Sequence, residues 1–287
     1  MEIKSLANID FDTIFKAFNQ AFADYEFQRN KAELQSMLKR RGFHPDLSFA
    51  AFDGNEIVSF TLNGIGKFNG IPTAYDTGTG TLKDYRGKGL ASKIFEYSIP
   101  YLQEANIEQY LLEVLQHNTK AVSVYQKLGF ETIRELNYFI QKNEEINHAI
   151  RTSAFPCSIK QIDVDELNSA SDFWDFYPSW QNSFASIQRG KDDFIALGAF
   201  IEKKLVGYCV FEPVSGDITQ IAVDKPYRRK GIASALLNEI AQFNKNDSIK
   251  VVNTDTACCS ITGFLEAKNI AVRGKQFEMI RKITNNK

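Results

Sequence analysis

The sequence predicts two copies of one mixed α/β domain, class α/β of the α+β kind, and three observations carry that expectation. Tyr85-Arg86-Gly87-Lys88-Gly89-Leu90-Ala91-Ser92 returns 142 residues later as Tyr227-Arg228-Arg229-Lys230-Gly231-Ile232-Ala233-Ser234. A pair of strand-like runs stands ahead of each octapeptide, and the apolar period turns helical after it. At roughly 100–200 residues per domain, 287 residues accommodate two such copies.

In chain order, the first copy opens with helix-like segments over 11–25 and 31–40. Strand-like runs follow at 47–52 and 56–62, around the tight-turn signal Asp53-Gly54-Asn55. A long loop is expected from Gly64 to Tyr75. Beyond the first glycine loop, Leu90, Ile94, Tyr97 and Tyr101 fall on one helical face. A strand at 110–114, a second helical stretch and a closing strand at 134–140 complete the copy. The second copy repeats the plan: a helix-like segment at 164–176, strands at 194–201 and 205–211 around Glu202-Lys203-Lys204, and a helix on Ile232, Leu236, Ile240 and Phe243. Strands at 249–252 and 275–283 follow. The expected boundaries are 1–142 and 158–287, with 143–157, polar at first and broken by Pro156, as linker.

Composition excludes several classes. With 44% hydrophobic and 24% charged residues the chain is of the core-forming kind and is not disordered. Thirty-four Lys and Arg against 35 Asp and Glu leave a net charge of −1, which argues against a strongly basic nucleic-acid binder. The densest apolar run, Phe194 to Ile201, is far short of the 18 or so residues of a membrane span. Asn8, Asp10 and Asp12 interrupt the stretch a signal peptide would need. Cys157, Cys209, Cys258 and Cys259 form no C-x-x-C pair, so a disulfide framework is not expected and a reducing compartment, the cytoplasm, is. Histidine is confined to His44, His117 and His148, and no metal site is expected.

A strand, a short basic glycine loop and a helix opening at Gly89 or Gly231 form an anion site in principle. First-turn N–H groups have no partners inside the helix, and the helix dipole adds partial positive charge there. Gly87 and Gly89 remove Cβ atoms, and Arg86 and Lys88 are available as counter-charges to a diphosphate. Neither loop fits the P-loop G-x-x-x-x-G-K-[ST], and Gly87-Lys88-Gly89-Leu90-Ala91-Ser92 lacks the third glycine of a dinucleotide fingerprint. A basic turn that merely starts a surface helix remains the plain alternative for one such loop; two equivalent loops weigh against it.

At these residues the chain resembles the GCN5-related N-acetyltransferase family. Its signature [Q/R]-x-x-G-x-[G/A] is met by Arg86-Gly87-Lys88-Gly89-Leu90-Ala91 and by Arg228-Arg229-Lys230-Gly231-Ile232-Ala233. The resemblance implies tandem acyl-CoA N-acyltransferase domains, each a twisted, mostly antiparallel sheet with a splayed central strand pair and flanking helices. It implies that both loops cradle the pyrophosphate of acetyl-CoA or coenzyme A. The backbone of Thr79, Gly80 and Thr81, or of Ile221, Ala222 and Val223, would then bond the pantetheine arm as an added strand.

Acetyl transfer from a thioester to an amine needs a base for the ammonium, donors for the oxyanion and a proton for the thiolate. The run from Leu112 to Phe130 resembles the family's second signature, L-E-V followed by N-x-x-A-x-x-x-Y-x-x-x-G-F, in the form of the branch that acetylates protein N-termini. Carried over by position, the resemblance makes Glu113 the base, Tyr125 the acid and Asn118 a contact to the pantetheine region. A surface-strand glutamate and a core tyrosine are the plain alternatives. In the second copy an ungapped alignment puts Leu265 opposite Tyr125, Asn269 opposite Gly129, Cys258 opposite Asn118 and Asn253 opposite Glu113. Cys258 and Cys259 read as buried small hydrophobes, with a reactive thiol as the alternative.

The expected function is acetyl-CoA-dependent N-acetylation of a primary amine of a small molecule, amino acid or peptide, with the first copy catalytic and the second cofactor-binding or structural. Phe18, Phe22, Tyr25 and Phe27 and the loop from Gly64 to Tyr75 are candidates to line the acceptor pocket, with core packing as the plain alternative for the aromatics. A non-catalytic coenzyme A sensor and a structural pseudo-dimer are the alternatives; the joint retention of Glu113, Asn118 and Tyr125 favours the enzyme. No nucleic acid or membrane partner is expected, and the sequence leaves oligomeric state open.

Overall fold

A computed structural model describes residues 1–24, 28–149 and 157–283. They form two compact units, Met1–Ile133 with the segment from Phe277 onward, and Arg134–Gln276. Tyr25 and Phe27, and 150–156 of the expected linker, lie outside the described residues.

In the N-terminal unit, β1 (Glu2–Ser5), α1 (Phe11–Ala21), α2 (Lys31–Arg41), β2 (Phe49–Asp53), β3 (Glu56–Phe68), β4 (Ile71–Thr81), α3 (Leu90–Glu104), β5 (Gln109–Leu115) and α4 (Thr119–Lys127) follow in order. Asp10 caps α1 by accepting from the Thr13 amide, and Asn30 with Glu33 forms a capping box on α2. Strands β1 to β4 pair antiparallel in succession, and β4 pairs parallel with β5. The expected loop from Gly64 to Tyr75 is instead hairpin. Strand β3 runs on to Phe68, Asn69 (φ 52°) and Gly70 (φ 79°) turn the chain, and β4 begins at Ile71. Two consecutive positive φ values at Asn-Gly are what a two-residue hairpin turn requires.

Helix α3 buries Leu90 and Ile94 as expected, but Phe95, Ser98 and Leu102 complete its inner face. Tyr97 and Tyr101 are 37% and 41% exposed, bonded hydroxyl to hydroxyl, with rings 5.7 and 5.1 Å from Phe49. Tyrosine can cover apolar surface with its ring while its hydroxyl stays wet.

In the C-terminal unit, β6 (Glu131–Lys142), β7 (Ser158–Ile162), α5 (Phe184–Arg189), β8 (Ile195–Ile201), β9 (Lys204–Glu212), β10 (Asp217–Val223), α6 (Ile232–Ala241), β11 (Ser248–Asp255) and α7 (Cys259–Ala267) precede β12 (Val272–Lys282). The strand order is β6-β11-β10-β9-β8-β7. The helix expected at 164–176 is a 3₁₀ segment, Val164–Phe173, capped by Asp163. Ser171 and Asp172 near its end are weak α-helix formers.

The units exchange closing strands. From Arg134, β6 belongs to the C-terminal unit, where Phe139 is fully buried. From Phe277, β12 belongs to the N-terminal unit, where Met279 is fully buried with Phe95, Tyr110 and Phe130. Burial thus cuts the chain elsewhere than at 142 and 158. The head of the expected linker also packs: Ile146 joins the C-terminal core, and Asn143 donates to the Asn246 carbonyl at 2.8 Å.

Truncating a fully buried methionine removes transfer free energy and leaves a cavity. Met279→Ala should therefore cost about 2–5 kcal/mol. By hydrogen exchange the loss of protection should appear in β5 of the N-terminal unit and spare β9.

Candidate active site

Each unit contains a parallel strand pair that holds at one end and parts at the other. Thr73, Ala74 and Tyr75 of β4 pair with Gln109, Tyr110 and Leu111 of β5. From Asp76 to Thr81 that edge of β4 has left its neighbour. In the C-terminal unit Asp217 of β10 pairs with Lys250 of β11, and 218–223 continue without β11, paired on their other edge with β9. A bulge sits at each fork. The β3 register skips Thr77 and the β9 register skips Thr219, the residue 142 positions on. An extra residue twists the strand and re-aims its side chains. Thr79, Gly80 and Thr81, and Ile221, Ala222 and Val223, all lie on the free arms.

Past each arm the loops have the same conformation. Gly87 (φ 78°) matches Arg229 (φ 62°), and Gly89 (φ 71°) matches Gly231 (φ 85°). A Cβ added to Gly87 or Gly89 would meet nothing within 4 Å, so open space faces the loop. No side chain caps α3 or α6, which leaves the first-turn N–H groups, those of Leu90 and Ala91 or of Ile232 and Ala233, for an anion. The cradle fits a diphosphate. The arginines play a different part from the counter-charge expected of Arg86. Arg86 donates to the Thr81 and Ala21 carbonyls at 3.1 and 2.8 Å and pairs with Asp24 at 3.1 Å. Arg228 donates to the Val223 and Phe173 carbonyls at 3.0 and 2.9 Å, and Nη1 reaches both Asp175 oxygens at 2.8 and 2.9 Å. Each guanidinium staples its loop to the strand end and to the segment after the first helical stretch. The loop lysines lie over aromatic rings, Lys88 over Tyr85 at 4.7 Å and Lys230 over Tyr227 at 5.2 Å.

At the N-terminal fork, consecutive residues of β4 engage the two expected proton-transfer groups. Tyr75 donates its hydroxyl to Glu113 Oε2 at 2.6 Å, and Tyr125 of α4 donates to Asp76 Oδ2 at 2.9 Å. The Thr79 hydroxyl reaches the same Asp76 oxygen at 2.8 Å. Burial, and then the charge of Glu113, pushes the Tyr75 phenol well above its usual range. Burial also raises the Asp76 carboxyl, against the hydrogen bonds of Thr79 and Tyr125 that stabilise its ionised form. Asn118 spends its carboxamide oxygen on the Ala121 amide at 3.3 Å as the cap of α4. Asp76 and Tyr75 escaped the sequence reading. An acid inside the otherwise neutral strand run Thr73 to Thr81 was the available signal.

The C-terminal fork opens on a cavity of about 390 Å³, walled by Trp174, Tyr208, Gln220, Asn253 and Phe264. Trp174 Nε1 donates to the Tyr208 hydroxyl, which donates to Gln220 Oε1, both at 2.7 Å, and Gln220 donates to the Asn182 carbonyl at 2.6 Å. Helices α4 and α7 have equal length and an offset of 140, which puts Leu265, fully buried, opposite Tyr125. Counting from the fork, Glu113 falls opposite Val252; counting back from α7, it falls opposite Asn253. The extra residue is the β11 bulge before Thr254, where Asn253 is left-handed at φ 59°. Neither position supplies a carboxylate. Cys258 is half-buried on the cavity wall and Cys259 is exposed, so neither is the buried hydrophobe expected; no disulfide joins the four cysteines.

A forked parallel pair leading into an uncapped, glycine-preceded helix defines the N-acyltransferase class of mixed α/β folds, here in tandem. The chain belongs to the acetyltransferase (GNAT) family, whose profile matches residues 11–130 and 159–259. A tandem GNAT protein from the clavulanic acid biosynthesis pathway superposes with a TM-score of 0.74 at 13% identity, covering 100% of this chain and 99% of that one. A GCN5-related N-acetyltransferase from Sphaerobacter thermophilus does so with a TM-score of 0.73 at 11% identity, covering 99% and 96%. Among curated proteins, N-alpha-acetyltransferase 30 of Schizosaccharomyces pombe is 24% identical over 108 residues, 37% of this chain and 72% of that protein. N-alpha-acetyltransferase MAK3 of Arabidopsis thaliana is 28% identical over 95 residues, 33% of this chain and half of that protein. Spermidine N(1)-acetyltransferase of Escherichia coli is 34% identical over 73 residues, 25% of this chain and 39% of that one. The protein is an acyltransferase. Among the described residues no helix is long and apolar enough to cross a membrane, and no cluster of side chains has the makings of a metal site.

Asp175 also accepts from the Ser260 hydroxyl at 2.7 Å. Burial works to raise its carboxyl, but Ser260 and Arg228 outweigh it, and it titrates below the usual value. A depressed folded pKa contributes stability that is full above the unfolded value and fades as pH falls through the folded one. Urea midpoints of the protein and of Asp175→Asn should therefore differ at neutral pH and converge as pH falls below the ordinary aspartate value of about 3.9 and through the lower folded one.

Proposed function

We propose that the protein is an acetyl-CoA-dependent N-acetyltransferase that moves the acetyl group to a primary amine by direct attack, with the N-terminal unit catalytic. The observation that carries this reading is the N-terminal fork, where Glu113 and Tyr125 are held by consecutive residues of β4 while the second copy has neither. Acetyl-CoA supplies the activated thioester. The loop amides from Gly87 to Ala91 hold its diphosphate, and the free arm of β4 at Thr79, Gly80 and Thr81 bonds the pantetheine. Backbone N–H groups of that arm stabilise the oxyanion. Glu113 takes the proton of the ammonium, directly or through water, and Tyr125 gives the thiolate its proton. Asn118, beyond capping α4, contacts the pantetheine region through its amide.

The acceptor is an amine of a small molecule, amino acid or peptide. The names of the curated relatives, N-alpha and spermidine acetyltransferases, support that class and make an N-terminal peptide and spermidine the first probes. The C-terminal unit binds coenzyme A along Ile221, Ala222 and Val223 and the loop 228–233 without turnover. Its 390 Å³ cavity favours this over a purely structural part. Four free cysteines suit a reducing compartment, the cytoplasm.

Calorimetric titration with acetyl-CoA tests the reading without the acceptor. Two sites are expected; no binding overturns it. Replacing Tyr125 with Phe should lower kcat about 10²–10⁴-fold with acetyl-CoA affinity retained, and unchanged turnover would remove Tyr125 from the mechanism.

A further inference from the structure

We propose that Asp76 is a positioning residue for the Tyr125 hydroxyl, and that the two act as one proton-handling unit at the N-terminal fork. The proposal rests on Tyr125 as the acid of the transfer. The carboxylate bridges the parts the fork separates: it sits on β4 at the bulge, accepts from Thr79 three residues along the free arm at 2.8 Å, and accepts from Tyr125 on α4 at 2.9 Å. The Tyr125 ring packs edge-on to Phe130 at 5.5 Å, so its hydroxyl is the end the carboxylate orients.

The second copy gives the control. The bulge offset of 142 carries Asp76 to Ile218 and Thr79 to Ile221, and the helix offset of 140 carries Tyr125 to Leu265. Ile218 and Leu265 are fully buried in one core, with Ile221 packed against it. All three polar members are replaced together by apolar ones around the same fork. The second bulge thus carries isoleucine where the first carries Asp76, and its buried carboxyl stands one residue earlier, at Asp217, opposite Tyr75, where it accepts from Thr219 at 3.0 Å. A half-buried acid in that place costs desolvation free energy, which a structural role leaves unrewarded.

The pair explains how a phenol can give up its proton without stranding a phenolate beside an acid. With the carboxyl neutral the contact runs the other way from that in the structure: Asp76 donates to the Tyr125 oxygen, leaves the phenol proton for the departing thiolate, and gives its own proton to the phenolate as it forms. The carboxylate left behind is held by the Thr79 hydroxyl and is reprotonated from solvent, to which the amine's proton has been released. Ionised Asp76 instead receives the Tyr125 proton in its hydrogen bond and turns it from the sulfur. Burial favours the neutral carboxyl. The groups facing Asp76 are Arg41 at the end of α2, Tyr75 beside it with Glu113 beyond, Tyr110 on β5 and Tyr125 on α4; of these, the Tyr125 hydrogen bond and then Arg41 oppose the neutral form.

The test places 3-fluorotyrosine at position 125 alone and follows its ¹⁹F resonance with pH, which needs neither cofactor nor acceptor. The resonance is expected to titrate with a midpoint above the ordinary aspartate value of about 3.9, and to lose that titration in Asp76→Asn. A resonance that does not move, or moves identically in the variant, overturns the proposal. Where spermidine or an N-terminal peptide is acetylated, Asp76→Ile should lower kcat at least about tenfold with KM for acetyl-CoA unchanged, and should have no further effect in a Tyr125→Phe background. Equal losses in both backgrounds would make Asp76 merely structural. Absence of acetyl-CoA binding would defeat the acetyltransferase reading separately, since the ¹⁹F titration reports on the pair alone.

Discussion

Three residue pairs between β4 and β5 hold the N-terminal site together, and what happens where they stop determines the rest. Had the parallel ladder continued past Tyr75 and Leu111, the backbone of Asp76 to Thr81 would be saturated by β5 and closed to a ligand. The bulge at Thr77 prevents this by adding a residue that the β3 register cannot match. The arm that diverges keeps its β3 partner on one edge and has the other to offer. It also delivers the chain to Leu82 at the angle from which the glycine loop turns into α3. Loop, helix dipole and hydroxyls are placed by this single departure from regular pairing.

The two units treat the same departure differently. Polar groups are concentrated at the first fork, where Tyr75, Asp76, Thr79, Glu113 and Tyr125 are bonded in two linked sets and burial raises the Tyr75 phenol and the Asp76 carboxyl. At the second fork the corresponding strand and helix positions carry isoleucine and leucine, and polarity has moved to the cavity wall, where Trp174, Tyr208, Gln220 and Asn182 are satisfied among themselves. The arginine staples are kept in both, which marks them as the structural component of the motif: Arg86 and Arg228 bond backbone carbonyls five residues upstream in each loop.

Much of this was legible beforehand because it rests on local chemistry. The repeated octapeptide, the hairpins and the helical period are all short-range, and Leu265 and Asn269 fell where α7 places them. What escaped depends on partners distant in sequence. Asn69-Gly70 is a strong turn signal, yet the strands on either side extend only because β3 and β4 pair along ten residue positions, which no window reveals. Tyr97 and Tyr101 keep a helical period with Leu90, but Phe49 of β2 lets their rings rest at the surface. Arg86 has the charge of a phosphate ligand, and only the fold brings Ala21 and Asp24 to its guanidinium. Asp76 was visible as an acid in a neutral strand; its partner on α4, 49 residues away, was not.

The exchange of β6 and β12 has a consequence for the history of such a chain. A duplication that leaves each copy complete can be undone by deleting either half. Here residues 1–142 would lack Met279 and carry a strand whose Phe139 belongs elsewhere, and the remainder would lack that strand and carry the other's. With each core dependent on a segment encoded in the opposite half, neither copy can be shed without exposing the other's core. The swap acts as a ratchet: it preserves a duplicate by architecture, whatever that duplicate still binds.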